Sequence, residues 1–174
     1  DEIDVLKRLI DGLNIVEATD LFRVTSESTF LYFEPINKAW ESHRDLDYDA
    51  TFLDQIIDGC GFEIIKKQAL KESWTKGELK HRSEFCSLFI RENIDIFKIL
   101  KIDCPKELIR KDLRLTVDYP EDLIVCRAVF NKVLKGQKTT NYKINDIVQF
   151  LDEKVSLKSL LSPYCEEGYK TMYL

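Results

Sequence analysis

Asp118 closes the alternating run Leu113-Arg114-Leu115-Thr116-Val117 and is followed by Tyr119-Pro120-Glu121-Asp122. The alternation predicts a strand and the acidic turn predicts a helix start, so the carboxylate falls at the carboxyl end of a strand. In open α/β sheets ligands collect at that edge. A carboxylate there suits a divalent cation that bridges phosphate oxygens. The same residues also fit a structural role, because Asp118 and Glu121 have the N-cap and N3 spacing of a capping box, with Pro120 tolerated in the first turn. Both roles stay open, and a capping carboxylate can hold a metal as well.

Three further loops carry chemical groups. In RVTSES, residues 23–28, Arg23 is suited to bidentate phosphate or carboxylate binding and Glu27 to ligating a cation; a polar βα loop with an N-cap serine reads equally from these letters. In DGCGFE, residues 58–63, the glycines Gly59 and Gly61 allow backbone to approach a ligand closely between Asp58 and Glu63, or make a plain turn. In HRSEFCS, residues 81–87, His81, Arg82 and Glu84 crowd a helix start, where solvated charges are also ordinary. Cys86 in that loop sits among Phe85, Leu88 and Phe89, which marks it as core packing and not as an activated thiol. No Gly-x-Ser-x-Gly elbow, Walker-type phosphate loop or HExxH occurs. With only His43 and His81 in the chain, a histidine-centred triad has few ways to form.

The elements expected to position these loops alternate. The apolar spacing Ile3, Leu6, Leu9, Ile10, Leu13 predicts a first helix, and ATDLFRVT, residues 18–25, a buried strand. Ile36, Ala39, Trp40 and His43 lie on one apolar helical face, with His43 expected at the helix surface or partly buried. FEIIK at 62–66 predicts a short strand, a helix follows around Leu70 and Trp74 to Gly77, and another is read from Phe85, Leu88 and Phe89. IFKILKI at 96–102 predicts a strand that stops at Cys104-Pro105. Residues 121–134 predict a helix with Leu123, Val129, Phe130, Val133 and Leu134 inward, stopped by Gly136. Residues 144–151 repeat the pattern, and the last twenty residues are expected to wrap the surface. Such alternation predicts one layered α/β domain over residues 1–174 with a mostly parallel sheet.

Composition narrows the function class. The 174 residues, 44% hydrophobic, suffice for one domain with a sizeable core. A net charge of −5 without a Lys/Arg block argues against a nucleic-acid partner. No apolar run reaches the roughly 18 residues that span a bilayer, so membrane insertion is not expected. Five cysteines without a CxxC pair predict reduced thiols and a cytoplasmic setting. The chain starts with Asp and runs straight into a helix, whereas an α/β domain normally starts with a strand; the expectation is the later part of a longer polypeptide.

Taken together, DVLKRL at 4–9, FRVTSES at 22–28, DGCGFEII at 58–65, HRSEFCSLFIREN at 81–93 and RLTVDYPEDLIVCRAVF at 114–130 resemble the cytidylyltransferases that activate sugars. The likeness is to the acylneuraminate and deoxy-octulosonate enzymes, and most of all to their spore-coat polysaccharide biosynthesis relatives. It covers residues 1 to about 135, with the tail EEGYKTMYL also similar, and RLTVDYPEDL is its most specific element. The resemblance implies a Rossmann-like nucleotide-diphospho-sugar transferase fold. It further implies Mg2+-dependent transfer of CMP from CTP to a sugar acid or related sugar, with release of pyrophosphate, for surface polysaccharide. By the same resemblance Glu27 and Asp118 hold the metal, with Arg23 beside them in the reaction, and Asp58, Gly59, Gly61, Glu63, Arg82 and Glu84 face the substrates. Ser26-Glu27 replaces the Gly-Asp of many relatives, and Phe85 replaces the histidine of their Glu-His-Val-Thr motif. Nothing here matches the Gly-Ser-Arg/Lys loop that grips the triphosphate in such enzymes, so weak activity and poor CTP binding are expected of these residues alone. The alternatives are a non-catalytic binding or homodimerisation module that keeps the fold, or a glycosyltransferase-like protein using another nucleotide.

Overall fold

The structure is a computed structural model and describes residues 4–136 and 142–166. The chain gathers into two compact units: one comprises residues 1–23, 35–52 and 62–102, and the other residues 24–34, 53–61 and 103–174.

The first unit is built on a four-stranded sheet of β1 (Asp20–Arg23), β2 (Ala50–Leu53), β3 (Phe62–Lys66) and β4 (Ile99–Lys101) in the order β1-β3-β2-β4. β1 runs antiparallel to β3, with Asp20 opposite Lys66, while β2 and β4 are parallel, with Ala50 opposite Ile99. The sheet is therefore mixed where the sequence predicted a mostly parallel one. Alternation sorts the side chains. Ala50, Phe52 and Ile65 join a core with Leu6, Ile10 and Leu13 of α1 (Val5–Ile15) and Ala69 and Leu70 of α3 (Lys67–Lys76). Phe89 and Ile90 of the short α4 (Leu88–Glu92) complete it. Each large side chain so buried contributes about 1.5–3 kcal/mol.

Residues of opposite parity face α2 (Ile36–Asp45). Phe22 stacks on Phe62 and meets the edge of Trp40, and Thr51 bonds His43. Asp4 caps α1 through the Lys7 amide at 2.8 Å and also accepts from Trp74 Nε1 at 2.8 Å, so one carboxylate starts α1 and ties it to α3.

Several expected elements come out differently. β1 is a half-buried edge strand and not a buried one, because its only neighbour is β3. Phe85 lies outside any helix and is exposed; a 3₁₀ turn at Leu79–Arg82 comes first and α4 begins at Leu88. His43, expected at the surface or partly buried, is fully buried, held by Thr51 Oγ1 at 2.8 Å from Nδ1 and Asp20 Oδ1 at 3.3 Å from Nε2.

In the second unit α5 (Pro120–Val129) passes into a π-helical turn at Phe130–Leu134, followed by α6 (Ile144–Glu153) and α7 (Val155–Leu161). α5, α6 and α7 pack on one another. The break in helical pitch changes the buried face from the expected one: Asp122, Val125, Cys126 and Val129 point inward, and Leu123 and Phe130 are exposed. α7 lies within the last twenty residues, which were expected to wrap the surface, and residues 167–174 lie outside the described residues. Leu113–Val117 is no strand; one parallel bridge, Asp58 to Arg114, is what remains of the predicted alternation. All five cysteines are free, four of them buried. Among the described residues no helix is long and apolar enough to cross a membrane.

His43 gives the first unit a pH dependence. Burial holds its pKa below the usual imidazole value, with Asp20 only partly opposing. As pH falls below about 6.5 the unfolded chain takes up a proton that the folded chain resists, so folding weakens over that interval. Urea midpoints measured between pH 7 and pH 5 are expected to fall further for the wild type than for H43Q; parallel profiles would refute this.

Candidate functional site

In the second unit the predicted residue Asp118 belongs to a cluster centred on Arg114, which is 2% exposed. The Arg114 Nε and Nη2 atoms donate to the two oxygens of Asp122 at 2.9 and 3.0 Å, a bidentate pair in which both partners are buried. Nη2 also donates to Asp118 Oδ2 at 2.5 Å and Nη1 to the Tyr164 carbonyl at 3.2 Å. Asp58 stands 3.7 Å from Nη1, buried, and its other oxygen, Oδ1, has no hydrogen-bond partner. Burial raises the Asp58 pKa, with the Arg114 charge opposing. Three carboxylates thus surround one guanidinium, and Asp118, 48% exposed, is the one that meets solvent.

The backbone fixes this arrangement. Leu115 N donates to Asp58 O at 2.7 Å, and two residues on Val117 N donates to Glu27 O at 3.1 Å, so Glu27 is brought beside the residue before Asp118. Gly59 has φ +85°, and a Cβ there would lie 2.4 Å from Thr116 N. At Gly61 a Cβ would meet the Leu53 carbonyl at 2.3 Å. Both glycines serve a close approach, and the partner is this chain's own backbone. The capping box expected from Asp118 and Glu121 is shifted by one residue: Tyr119 is the N-cap, and Asp122 accepts from the Asp118 and Tyr119 amides, each at 3.0 Å. Asp118 is thereby released from capping α5.

The first unit assembles a second ionic cluster, around Glu63, which is 13% exposed. Glu63 accepts from Arg23 Nη1 at 2.9 Å, Arg91 Nη2 at 2.9 Å and Ser87 Oγ at 2.6 Å. Burial alone would raise its pKa, but the Arg23 and Arg91 charges outweigh burial and lower it. Arg91 also lies 3.8 Å over the Phe52 ring. Glu84 takes part through its carbonyl, which accepts from Arg23 Nη2 at 2.8 Å. Beside them burial pushes the Cys86 thiol up to about 12, so it stays protonated, as core packing requires.

No family model matches the chain. An uncharacterised protein of Methanocaldococcus jannaschii is 26% identical over 169 residues, which cover 97% of this chain and 68% of that protein. The spore coat polysaccharide biosynthesis protein SpsF of Bacillus subtilis is 23% identical over 137 residues, 74% of this chain and 54% of SpsF. A solved cytidylyltransferase from Leptospira borgpetersenii superposes with a TM-score of 0.75 at 15% identity. The fold is that of a cytidylyltransferase. The match covers 88% of this chain and 64% of the Leptospira cytidylyltransferase, so this chain spans part of the length of each relative.

On this cytidylyltransferase-like frame the expected site residues divide. Asp58, Gly59, Gly61, Glu27 and Asp118 lie in the second unit, and Arg23, Glu63, Arg82 and Glu84 in the first. Arg82 stands apart from the Glu63 cluster: its guanidinium lies 5.2 Å over Trp74 and its Nε is buried without a partner. His81 is buried, its Nδ1 accepting from Glu78 N at 2.7 Å and its Nε2 2.8 Å from Glu92. Sequence reasoning passed over Arg114, Asp122, Ser87 and Arg91. Arg114 and Asp118 did share a face in the predicted alternation, and Ser87 and Arg91 stand one helical turn apart. Those spacings were the available signal.

Removing the Asp122 charge leaves a buried guanidinium short of its principal partner and uncaps α5. D122N is expected to lose about 3–5 kcal/mol of folding free energy by chemical denaturation, and a loss below about 1 kcal/mol would show that Arg114 does not depend on it.

Proposed function

We propose that this chain carries the metal-facing and sugar-facing part of a cytidylyltransferase that transfers CMP from CTP to a sugar acid, in the making of surface polysaccharide. The observation that carries this reading is the Arg114 cluster, which presents the half-exposed Asp118 carboxylate on a rigid buried base with an excess of negative charge. The fold and the similarity to SpsF support the reaction class. The cytoplasmic setting belongs to the same proposal.

Asp118 and Glu27 are the residues that would hold Mg2+. Two features of the chain fit a cation: the orphaned Asp58 Oδ1 and the one guanidinium set against three carboxylates. Among the described residues no group of three or more His, Cys, Asp or Glu side chains is gathered to hold a metal alone. That suits Mg2+, which takes one or two carboxylates and completes its shell from phosphate oxygens and water. When bound, Mg2+ supplies neutralisation of the triphosphate charge. The chain's own part is positioning: Asp122 fixes Arg114, and Arg114 fixes the direction of Asp118. In the first unit two guanidiniums share the Glu63 carboxylate, and guanidinium groups suit recognition of an acidic sugar.

The rival reading, a binding or homodimerisation module, draws on Leu123, Ile124 and Phe130, exposed at the start of α5 and just beyond it. A monomer at all concentrations by sedimentation would remove it. The test of the leading reading is pyrophosphate release from CTP, Mg2+ and a sugar acid by the natural gene product. D118N is expected to lower the rate by about 100-fold with folding retained. An unchanged rate, or release that needs no divalent cation, would contradict the proposal.

A further inference from the structure

Asp58 poses a physical question that the proposed reaction leaves unanswered. It is 2% exposed, and its Oδ1 accepts no hydrogen bond. Burying a carboxylate oxygen without a partner is costly, and such a group calls for a reason. The opposite charge beside it is Arg114, whose Nη1 lies 3.7 Å from Oδ2, too far for a hydrogen bond. The three carboxylates around Arg114 are not equivalent. Asp122 is committed twice, to the guanidinium and to the amides that start α5. Asp118 holds the guanidinium through one oxygen and is half exposed. Asp58 is buried and makes no hydrogen bond to the guanidinium, with Oδ2 3.7 Å from Nη1 and Oδ1 without a partner.

We propose that Asp58 is the reserve counterion of Arg114, a positioning residue that closes on the guanidinium through Oδ2 when Asp118 turns away to a divalent cation. The inference rests on Asp118 being a cation ligand, as proposed above. Without a reserve, drawing Asp118 off would leave Arg114 in the interior with Asp122 as its single anion. That loss would be charged against cation binding. With Asp58 present, an approach of about 0.8 Å brings Nη1 from contact to hydrogen-bond distance, and the guanidinium keeps two carboxylates throughout. The backbone makes so small a motion sufficient. Asp58 and Arg114 are bridge partners on parallel segments, locked by the 2.7 Å bond from Leu115 N, and paired residues of parallel segments turn their side chains to one face. The tight seat of Gly59 against Thr116 prevents Asp58 from drifting from that register.

The experiment is titration of Mn2+ into wild type, D58N and D118N, read by the electron paramagnetic resonance of the free ion, with thermal unfolding of each metal-free protein alongside. D118N is expected to lose Mn2+ binding. D58N is expected to bind about ten-fold more weakly. Its unfolding midpoint should equal or exceed that of the wild type, because the substitution removes a buried carboxylate that lacks a partner. Loss in D118N together with wild-type affinity in D58N would overturn the role of Asp58 and leave the cation reading standing. Equal affinity in D118N and wild type, or no binding by the wild type, would overturn both. A D58N midpoint that falls along with its affinity would assign Asp58 a merely structural role and overturn the inference.

Discussion

A guanidinium cannot be taken out of water unless anions go with it, and Arg114 is almost wholly buried. Much of the second unit follows from that constraint. The Asp122 oxygens that neutralise Arg114 also accept from the Asp118 and Tyr119 amides, so the ion pair and the start of α5 are made by the same atoms. Pro120 then needs no amide partner at the first helical position. Because the cap falls to Asp122, Asp118 is left with one contact to Arg114 and access to solvent. The Asp118 carboxylate is thus exposed while held by Arg114.

The first unit solves a similar problem with the signs reversed. Glu63 is the enclosed anion, and Arg23, Arg91 and Ser87 are its donors. Buried ionic clusters are weak evidence for stability, since well-packed apolar side chains often do as well. Their composition is the informative property: around Arg114 three carboxylates meet one guanidinium, and at Glu63 two guanidiniums meet one carboxylate.

The sequence made some of this legible. α1, α3 and α6 carry long apolar periodicities that tertiary packing reinforced, and their existence and inner faces agree with the expectation. Asp118 was singled out because a strand-like run meets a helix start there, and it does lie in an ionic site. The reason differed: Leu113, Arg114, Leu115 and Thr116 are all buried, and among the described residues the run forms one bridge. Local spacing gave one capping box for α5, Asp118 with Glu121, and its shift to Tyr119 with Asp122 goes with Arg114, a partner eight residues from Asp122 whose side chain a capping rule does not consider. The inner face of α5 was misjudged because a π-helical turn follows it and pattern reading assumes a constant pitch. The full burial of His43 was not legible because it depends on Asp20 and Thr51, distant in sequence, which hydrogen-bond it.

The central claim is that the Asp118 carboxylate, aimed by Arg114, receives the divalent cation that accompanies a nucleotide. Anomalous scattering at the manganese edge, from crystals of the protein grown with Mn2+ and CTP, tests it most directly. The account predicts a manganese peak within about 2.0–2.6 Å of an Asp118 oxygen, with Glu27 or phosphate oxygens completing the shell. Manganese bound elsewhere, with Asp118 still closed on Arg114, would contradict it.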